Sequence, residues 1–437
     1  MLVFINFSCH IVENFAFGYV TFIYLSTMLF YQLEVSYMLS SHDRVYYALC
    51  IEEPDRVPIF EPYGISGPTA DIILGRTCIA TNPLLMAKML AAGRVKDVRK
   101  AIVKDNYEMV KKLGFDGGPI LFLPTEKDPR PKMISEDSWI EYQVVGTSYV
   151  WVDGESVVRM TGDTQIPMAI DSDILRRGLA GFEDYVKKLE DISADEYEEM
   201  MSPKFQDYEE NLGKLWKDLD VLIYFALEGT GTPHGGGWYH VYLMAFYAKP
   251  DLMRRYLSQH TAKMEKLIGL AADFGAELIY SGGDIAHNKG PMMSPKIYHE
   301  FLLPCLKRLA DKAHKRGMFI FNSSDGNLWP IIDDYLINSD MDGMMEIQES
   351  AGMDIKRLKE MFGDRICFNG SVDSQTLLVN GTPEEVKRET KRVISILSPG
   401  GGHILSSSNS IYPGVKPENF FAMLETGRKY GVYRVIS

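Results

Sequence analysis

Short apolar runs alternate with polar clusters through the C-terminal half of the chain, and one grammar repeats. Met318 to Phe321, behind Gly317, is an unbroken apolar run, the pattern of a strand buried on both faces. It breaks into Ser323-Ser324-Asp325-Gly326-Asn327, and a helix is expected from Leu328. Asp342 to Glu346 leads in the same way through Gln348-Glu349 to a helix from Asp354. Arg365 to Asn369 leads through Gly370 to Asp373 to a helix from Pro383, and His403 to Ser406 through Ser407 to Asn409 to a helix from Pro417. Upstream, Val57 to Glu61, Phe115 to Phe122, Val221 to Glu228 and Glu277 to Tyr280 also read as strands, with helices near 83–113, 251–274 and 295–316. Eight strands with connections long enough for crossover helices predict an α/β fold, a TIM (β/α)8-type barrel. After the second strand the rhythm stops. Ile134 to Met160 alternates β-branched and aromatic residues, a β-meander, and Asp171 to Lys217 is charged and helical, so an insertion is expected over about 134–217.

The first 37 residues are unlike the rest, and 38–437 is expected to form a single barrel domain. Asn14 to Leu33 carries no charge and is rich in Phe, Tyr and Leu, while no Lys or Arg precedes Arg44. Two readings stand: a hydrophobic anchor, without the flanking positive charge that orients one, or a spurious upstream extension with translation starting at Met38. Beyond it, Ser40-Ser41-His42-Asp43 reads as a helix cap.

Composition adds exclusions. The chain has 437 residues, 24% of them charged, with a formal net charge of −13 and no basic run, which makes nucleic acid and anionic membrane surfaces poor partners. Five cysteines lie scattered without a CxxC pair, as reduced thiols do in a cytoplasmic protein. His234-Gly-Gly-Gly-Trp238 resembles a hydrolase oxyanion loop, but no G-x-S-x-G elbow accompanies it. Ser281-Gly-Gly-Asp284 lacks the Lys and the spacing of a phosphate-binding loop.

The candidate chemistry follows from the barrel. Parallel strands deliver their C-terminal ends to one rim, which gathers Glu61, Glu228, Asp284, Asp325 and Glu346, with Asn369 and Asn409 beside them. Any one of these acids also reads as a helix cap or a solvated charge. Together they raise one another's pKa unless a cation compensates, so the mouth is expected to hold either a proton or a cation. Asp325, Glu346 and Asp284 are the candidate catalytic groups; Glu61, Glu228, Asn369 and Asn409 would position substrate. Tyr63, Trp238, Tyr239 and Trp329 lie in the adjoining loops, where they either pack or face a cationic group.

At these strand ends the chain resembles the uroporphyrinogen decarboxylase (URO-D) superfamily, which includes corrinoid-dependent methyltransferases. The matching text is Glu53-Pro-Asp-Arg-Val-Pro58, Ser281-Gly-Gly-Asp-Ile-Ala286, Gly290-Pro-Met-Met-Ser-Pro295, Ser324-Asp-Gly-Asn327, Ala351-Gly-Met-Asp354, Gly370-Ser-Val-Asp373 and Gly381-Thr-Pro-Glu-Glu-Val386. The resemblance implies a TIM barrel acting on a small molecule. In decarboxylases an arginine motif after the first strand grips substrate carboxylates, and here that place reads Ile59-Phe60-Glu61-Pro62-Tyr63-Gly64. The methyltransferase branch binds zinc through His-x-Cys and a late Cys, and the matching positions here are Ser323, Asp325 and, approximately, Asn409. A zinc–thiolate site cannot be built from them. Within that branch either another methyl acceptor or donor is used, such as a pterin or a cationic methylated amine, or a harder metal is held through Asp325. The resemblance implies methyl transfer with the corrinoid (cobalamin) on a separate partner protein. Tetrapyrrole decarboxylation in porphyrin biosynthesis and a non-catalytic ligand-binding barrel are the alternatives.

Overall fold

Seven of the expected runs form one parallel sheet. The computed structural model describes residues 39–142, 155–161, 166–233 and 237–433. Its parallel strands are β1 (Gly117–Pro119), β2 (Leu222–Glu228), β3 (Leu278–Gly282), β4 (Phe319–Ser323), β5 (Gly343–Met345), β6 (Cys367–Asn369) and β7 (His403–Ile404), hydrogen-bonded in that order. Crossover helices such as Pro250–Asp273, Leu303–Lys315 and Pro383–Leu397 join them. The residues carrying the strands are apolar on both faces, so the sheet needs cover on both. Its inner face packs on itself: Phe60 stacks on Tyr224, and Tyr280 meets Tyr224 and Phe321 edge-on.

The sheet is curled. β3 and β6 are separated by two strands, so a flat sheet would hold them about 14 Å apart at about 4.8 Å per strand. Yet the Tyr280 hydroxyl donates directly to Asn369 Oδ1 at 2.7 Å. The run Val57 to Glu61 is expected as a strand but has only an isolated parallel bridge, Ile59 to Leu405. It still bonds towards both edges of the sheet: Leu405 N–H donates to the Pro58 carbonyl at 2.9 Å and Asp116 N–H to the Ile59 carbonyl at 3.1 Å. This α/β arrangement is consistent with a TIM-like barrel.

The insertion follows β1. It is a four-stranded antiparallel sheet (Lys132–Met133, Ser138–Glu141, Ser156–Thr161, Ile166–Asp171) and then helices ending at Leu219. Other boundaries moved where glycine and proline act. The helical stretch expected over 83–113 splits into Pro83–Ala91 and Val95–Leu113 around Gly93, whose φ is +74°. No regular α-helix starts at Leu328, because Pro330 removes a donor. A 3-10 turn (Trp329–Ile331) and a π-helical turn (Asp334–Asn338) stand there. Pro304 likewise follows a π-helical turn, Tyr298–Leu302. Ser40 caps Ser41–Leu49 as expected, its side chain accepting from Asp43 N–H at 3.0 Å.

Both readings of residues 1–37, and His234-Gly-Gly, lie outside the described residues. Among the described residues no helix is long and apolar enough to cross a membrane.

Candidate active site

The C-terminal strand ends deliver an acidic mouth. Asp284 follows β3, Asp325 follows β4, Glu346 follows β5 and Glu228 closes β2. Asp325 could have been a helix cap, but its Oδ2 accepts from Asn409 Nδ2 at 2.9 Å, from across the sheet. The local capping falls to Asn327, whose Oδ1 accepts from Trp329 N–H at 3.2 Å. Glu346, 7% exposed, has φ of +61°. For a residue with a Cβ that left-handed conformation costs about 1–2 kcal/mol, held here by its surroundings.

A hydrogen-bond chain runs into Glu346. The Tyr63 hydroxyl donates to Ser323 Oγ at 2.6 Å, and Ser323 Oγ donates to Glu346 Oε2 at 2.6 Å. Burial is the main force holding the Glu346 carboxyl well above the usual carboxylate range, with Asp325 and Asp284 adding to it. Burial, then Asp284, also pushes Asp325 up to about 7, against the stabilising bond from Asn409. Among the described residues neither acid has an ion-pair partner. Burial and neighbouring carboxylates thus both push these two acids towards their protonated forms.

Glu228 is held from two sides. Its Oε1 accepts from Thr230 Oγ1 at 2.9 Å and Thr232 Oγ1 at 2.8 Å. The loop itself is tied by Tyr242 and Tyr256 hydroxyls to the Thr230 and Gly231 carbonyls, and by His260 to the Glu228 carbonyl. At Gly283, φ +148°, an added Cβ would lie 2.7 Å from Glu228 Oε1. Only glycine lets the chain carrying Asp284 pass so close. Tyr239 stands beside this pair: its hydroxyl is pushed up by burial and then by Asp284 and Glu228.

Three other candidates are committed elsewhere. Glu61 accepts the Ser407 N–H at 2.9 Å and the Ser407 hydroxyl at 2.8 Å. Burial outweighs both bonds and raises it to about 8. Asn369, fully buried, takes Tyr280 on Oδ1 and gives Nδ2 to the Ile404 carbonyl at 3.1 Å and Ser406 Oγ at 2.9 Å. Trp238 packs with its ring centre 5.5 Å from Phe182 and 6.0 Å from Tyr185. These three read as structural. Trp329 bonds the Gly352 carbonyl and lies under Arg357. Sequence reasoning missed Thr230, Thr232 and Ser407. The two threonines flank Gly231 just after Glu228 and were legible; Ser407 is far from Glu61 along the chain.

Ser323, Asp325 and Asn409 offer a hydroxyl, a carboxylate and an amide already bonded to that carboxylate. That donor set does not fit zinc held by thiolates or imidazoles. Among the described residues no three His, Cys, Asp or Glu side chains are placed to hold a metal ion.

The comparisons agree on this half of the chain. The family described as uroporphyrinogen decarboxylase (URO-D) matches residues 230–430. The chain is similar to the uroporphyrinogen decarboxylase of Chlorobium luteolum, 25% identical over 212 residues, 47% of this chain and 56% of that protein. It is also similar to that of Azoarcus sp., 25% identical over 185 residues, 41% and 48% of the two chains. The chain spans about half the length of the curated relatives it matches. Among solved structures it is similar in fold to a methyltransferase from Methanosarcina mazei, with a TM-score of 0.56 and 19% identity, covering 90% of this chain and 99% of that one. The matched segment opens in the loop after Glu228 and carries Asp284, Asp325 and Glu346, and by it residues 230–430 belong to the uroporphyrinogen decarboxylase (URO-D) family.

Proposed function

We propose that the chain is a methyl-transferring enzyme of this superfamily, working at the mouth of a closed eight-stranded barrel in which Val57 to Glu61 is the eighth strand. The observation that carries the reading is the buried Asp325–Glu346 pair, which has no basic partner among the described residues. Such a mouth repels a polycarboxylate and suits a substrate that is neutral or cationic. Asp325 and Glu346 hold and move a proton, and Tyr63 and Ser323 orient the Glu346 carboxyl. Asp284 and Glu228 line the substrate's other side. The fold likeness to the Methanosarcina mazei methyltransferase supports methyl transfer over its alternatives. A corrinoid would supply the methyl carrier, borne on a separate protein; no residue of this chain is assigned to hold it. Tetrapyrrole decarboxylation is the second reading, favoured by the decarboxylases among the curated relatives.

The test uses the full chain with reduced free cobalamin in place of a partner-borne corrinoid, its visible spectrum reporting methyl uptake from methylated small molecules. Methyl uptake is expected, with Asp325→Asn slower by about 100-fold, the scale of a lost general acid or base, and a melting temperature within about 2 °C of wild type. No uptake from any methyl donor, or an Asp325→Asn variant as fast as wild type, overturns the assignment.

A further inference from the structure

The loop after β7 meets two acids that lie far apart along the chain. Ser407, fully buried, gives Glu61 both of its donors: its N–H reaches Oε1 at 2.9 Å and its hydroxyl lies 2.8 Å from Oε2. Two residues on, Asn409 Nδ2 donates to Asp325 Oδ2 at 2.9 Å. A further contact joins these two anchor points, because the Ser407 hydroxyl also lies 3.2 Å from the Asn409 carbonyl. The other flank of the loop is tied to the turn after β6. There Ser408 N–H donates to the Val372 carbonyl at 2.8 Å, and Ser374 N–H donates to Ser408 Oγ at 3.1 Å. Glu61 therefore holds one flank of the loop that presents Asn409 to Asp325.

Hydrogen counting says which form of Glu61 holds it best. Ser407 has a single hydroxyl hydrogen, and it faces two acceptors. An ionised Glu61 competes for that hydrogen with the Asn409 carbonyl. A protonated Glu61 donates its own hydrogen across the 2.8 Å contact, and the serine hydrogen then goes to Asn409, so each oxygen is paired. Burial, which raises Glu61 to about 8, favours that form at neutral pH. Tyr224, whose hydroxyl lies 3.5 Å from the Glu61 carbonyl, and Tyr280 stand beside it, and neither brings a positive charge. We propose that Glu61 is a positioning residue for Asp325: through Ser407 it fixes the Asn409 amide against the Asp325 carboxyl. A donor held on that oxygen favours the ionised acid, so the contact tunes the group that moves the proton. The inference rests on the methyl-transfer reading only for the importance of Asp325; it gives Glu61 a role through Asp325 and none at the substrate.

The test follows the Asp325 carboxyl by carbon-13 NMR through a pH titration of the full chain labelled at aspartate, with Asp325→Asn identifying the signal. Asn409→Ala is expected to tighten proton binding at Asp325 about tenfold, the scale of one hydrogen bond to a charged group. Ser407→Ala and Glu61→Ala are each expected to tighten it by about threefold or more. Glu61→Gln, whose amide accepts the Ser407 N–H and donates to its oxygen, is expected to stay within about twofold of wild type. In the Asn409→Ala background Glu61→Ala should add less than about twofold, because its route is already gone. Thr382→Ala, which loses the cap of the helix Pro383–Leu397, should lower the melting temperature and leave the titration in place. An unmoved titration in Ser407→Ala and Glu61→Ala overturns the inference, as does a Glu61→Gln titration displaced as far as that of Glu61→Ala. So does a Glu61→Ala effect that is equal with and without Asn409, or a shift of the same size in Thr382→Ala. Should Glu61→Ala not fold, Ser407→Ala with and without Asn409 gives the same decision. The titration needs no turnover, so the two readings fail separately. Methyl uptake with an unmoved titration sinks only the positioning role, whereas the expected titration without any methyl uptake sinks only the transfer.

Discussion

At the scale of single residues, what distinguishes this chain is how many of its acids are buried where parallel strands end. Glu61, raised to about 8, and Asp325, raised to about 7, both bind protons more tightly folded than unfolded. The stability such groups contribute is complete below their unfolded values near pH 4. It is lost as pH rises through the folded values, because the unfolded chain then binds fewer protons. Buried His260 and His403, both lowered to about 4, act in the opposite sense, but only below the ordinary histidine value near 6.5. His42 and His314, both raised above that value, act in the same sense as the carboxyls, so between about pH 6.5 and 8 each carboxyl is read as the difference between wild type and its own mutant. Melting temperatures measured across it should fall for wild type and fall less steeply for Glu61→Gln and Asp325→Asn. Parallel profiles for all three proteins would show that neither acid is protonated in the fold.

At the scale of elements, the sheet depends on a few close fits. A Cβ at Gly343 would lie 2.3 Å from Phe321 Cε1, so β5 can lie against β4 only with glycine there. Gly343→Ala is expected to cost about 1–3 kcal/mol, read from urea unfolding, and a neutral result would mean that the Phe321 ring has room to move. The opposite end of the sheet is held by charge. Asp116, fully buried just before β1, accepts Arg44 at 2.7 Å, Arg56 at 2.8 Å and the Ile59 N–H at 2.8 Å. Removing it leaves two guanidinium groups without this partner, so Asp116→Ala should cost about 3–5 kcal/mol by the same unfolding measurement. Arg44 also pairs with Asp55, at 2.7 Å, which ties the first helix to the same corner.

At the scale of the whole molecule, net charge and rim charge act in one direction. A chain of formal charge −13 with an acidic mouth disfavours the approach of any polyanion. Uroporphyrinogen III incubated anaerobically with the full protein is expected to remain uroporphyrinogen, with no coproporphyrinogen detected by chromatography. Conversion at enzyme-like turnover would move the chain to the decarboxylases that its curated relatives are.

The alternation of apolar runs and polar breaks by itself determined that the chain is α/β, where seven parallel strands fall and where the antiparallel insertion interrupts them. That legibility has a physical cause. A strand buried on both faces must be apolar throughout, and its end must turn polar where it reaches solvent, so Phe319–Ser323 and its neighbours are written locally. Asp284, Asp325 and Glu346 were legible for the same reason, since each lies at or just past a strand's polar end. The sequence did not determine which polar residues face the mouth. Asn369 ends a strand as plainly as Ser323 does, yet Tyr280, three strands away, reaches across the curl to claim it. Glu61 looked like a substrate ligand until Ser407, far along the chain, took both its oxygens. Curling of the sheet makes these pairings, and curling is a property of all its strands at once. Partner choice among buried polar groups is therefore decided only when the tertiary structure has closed.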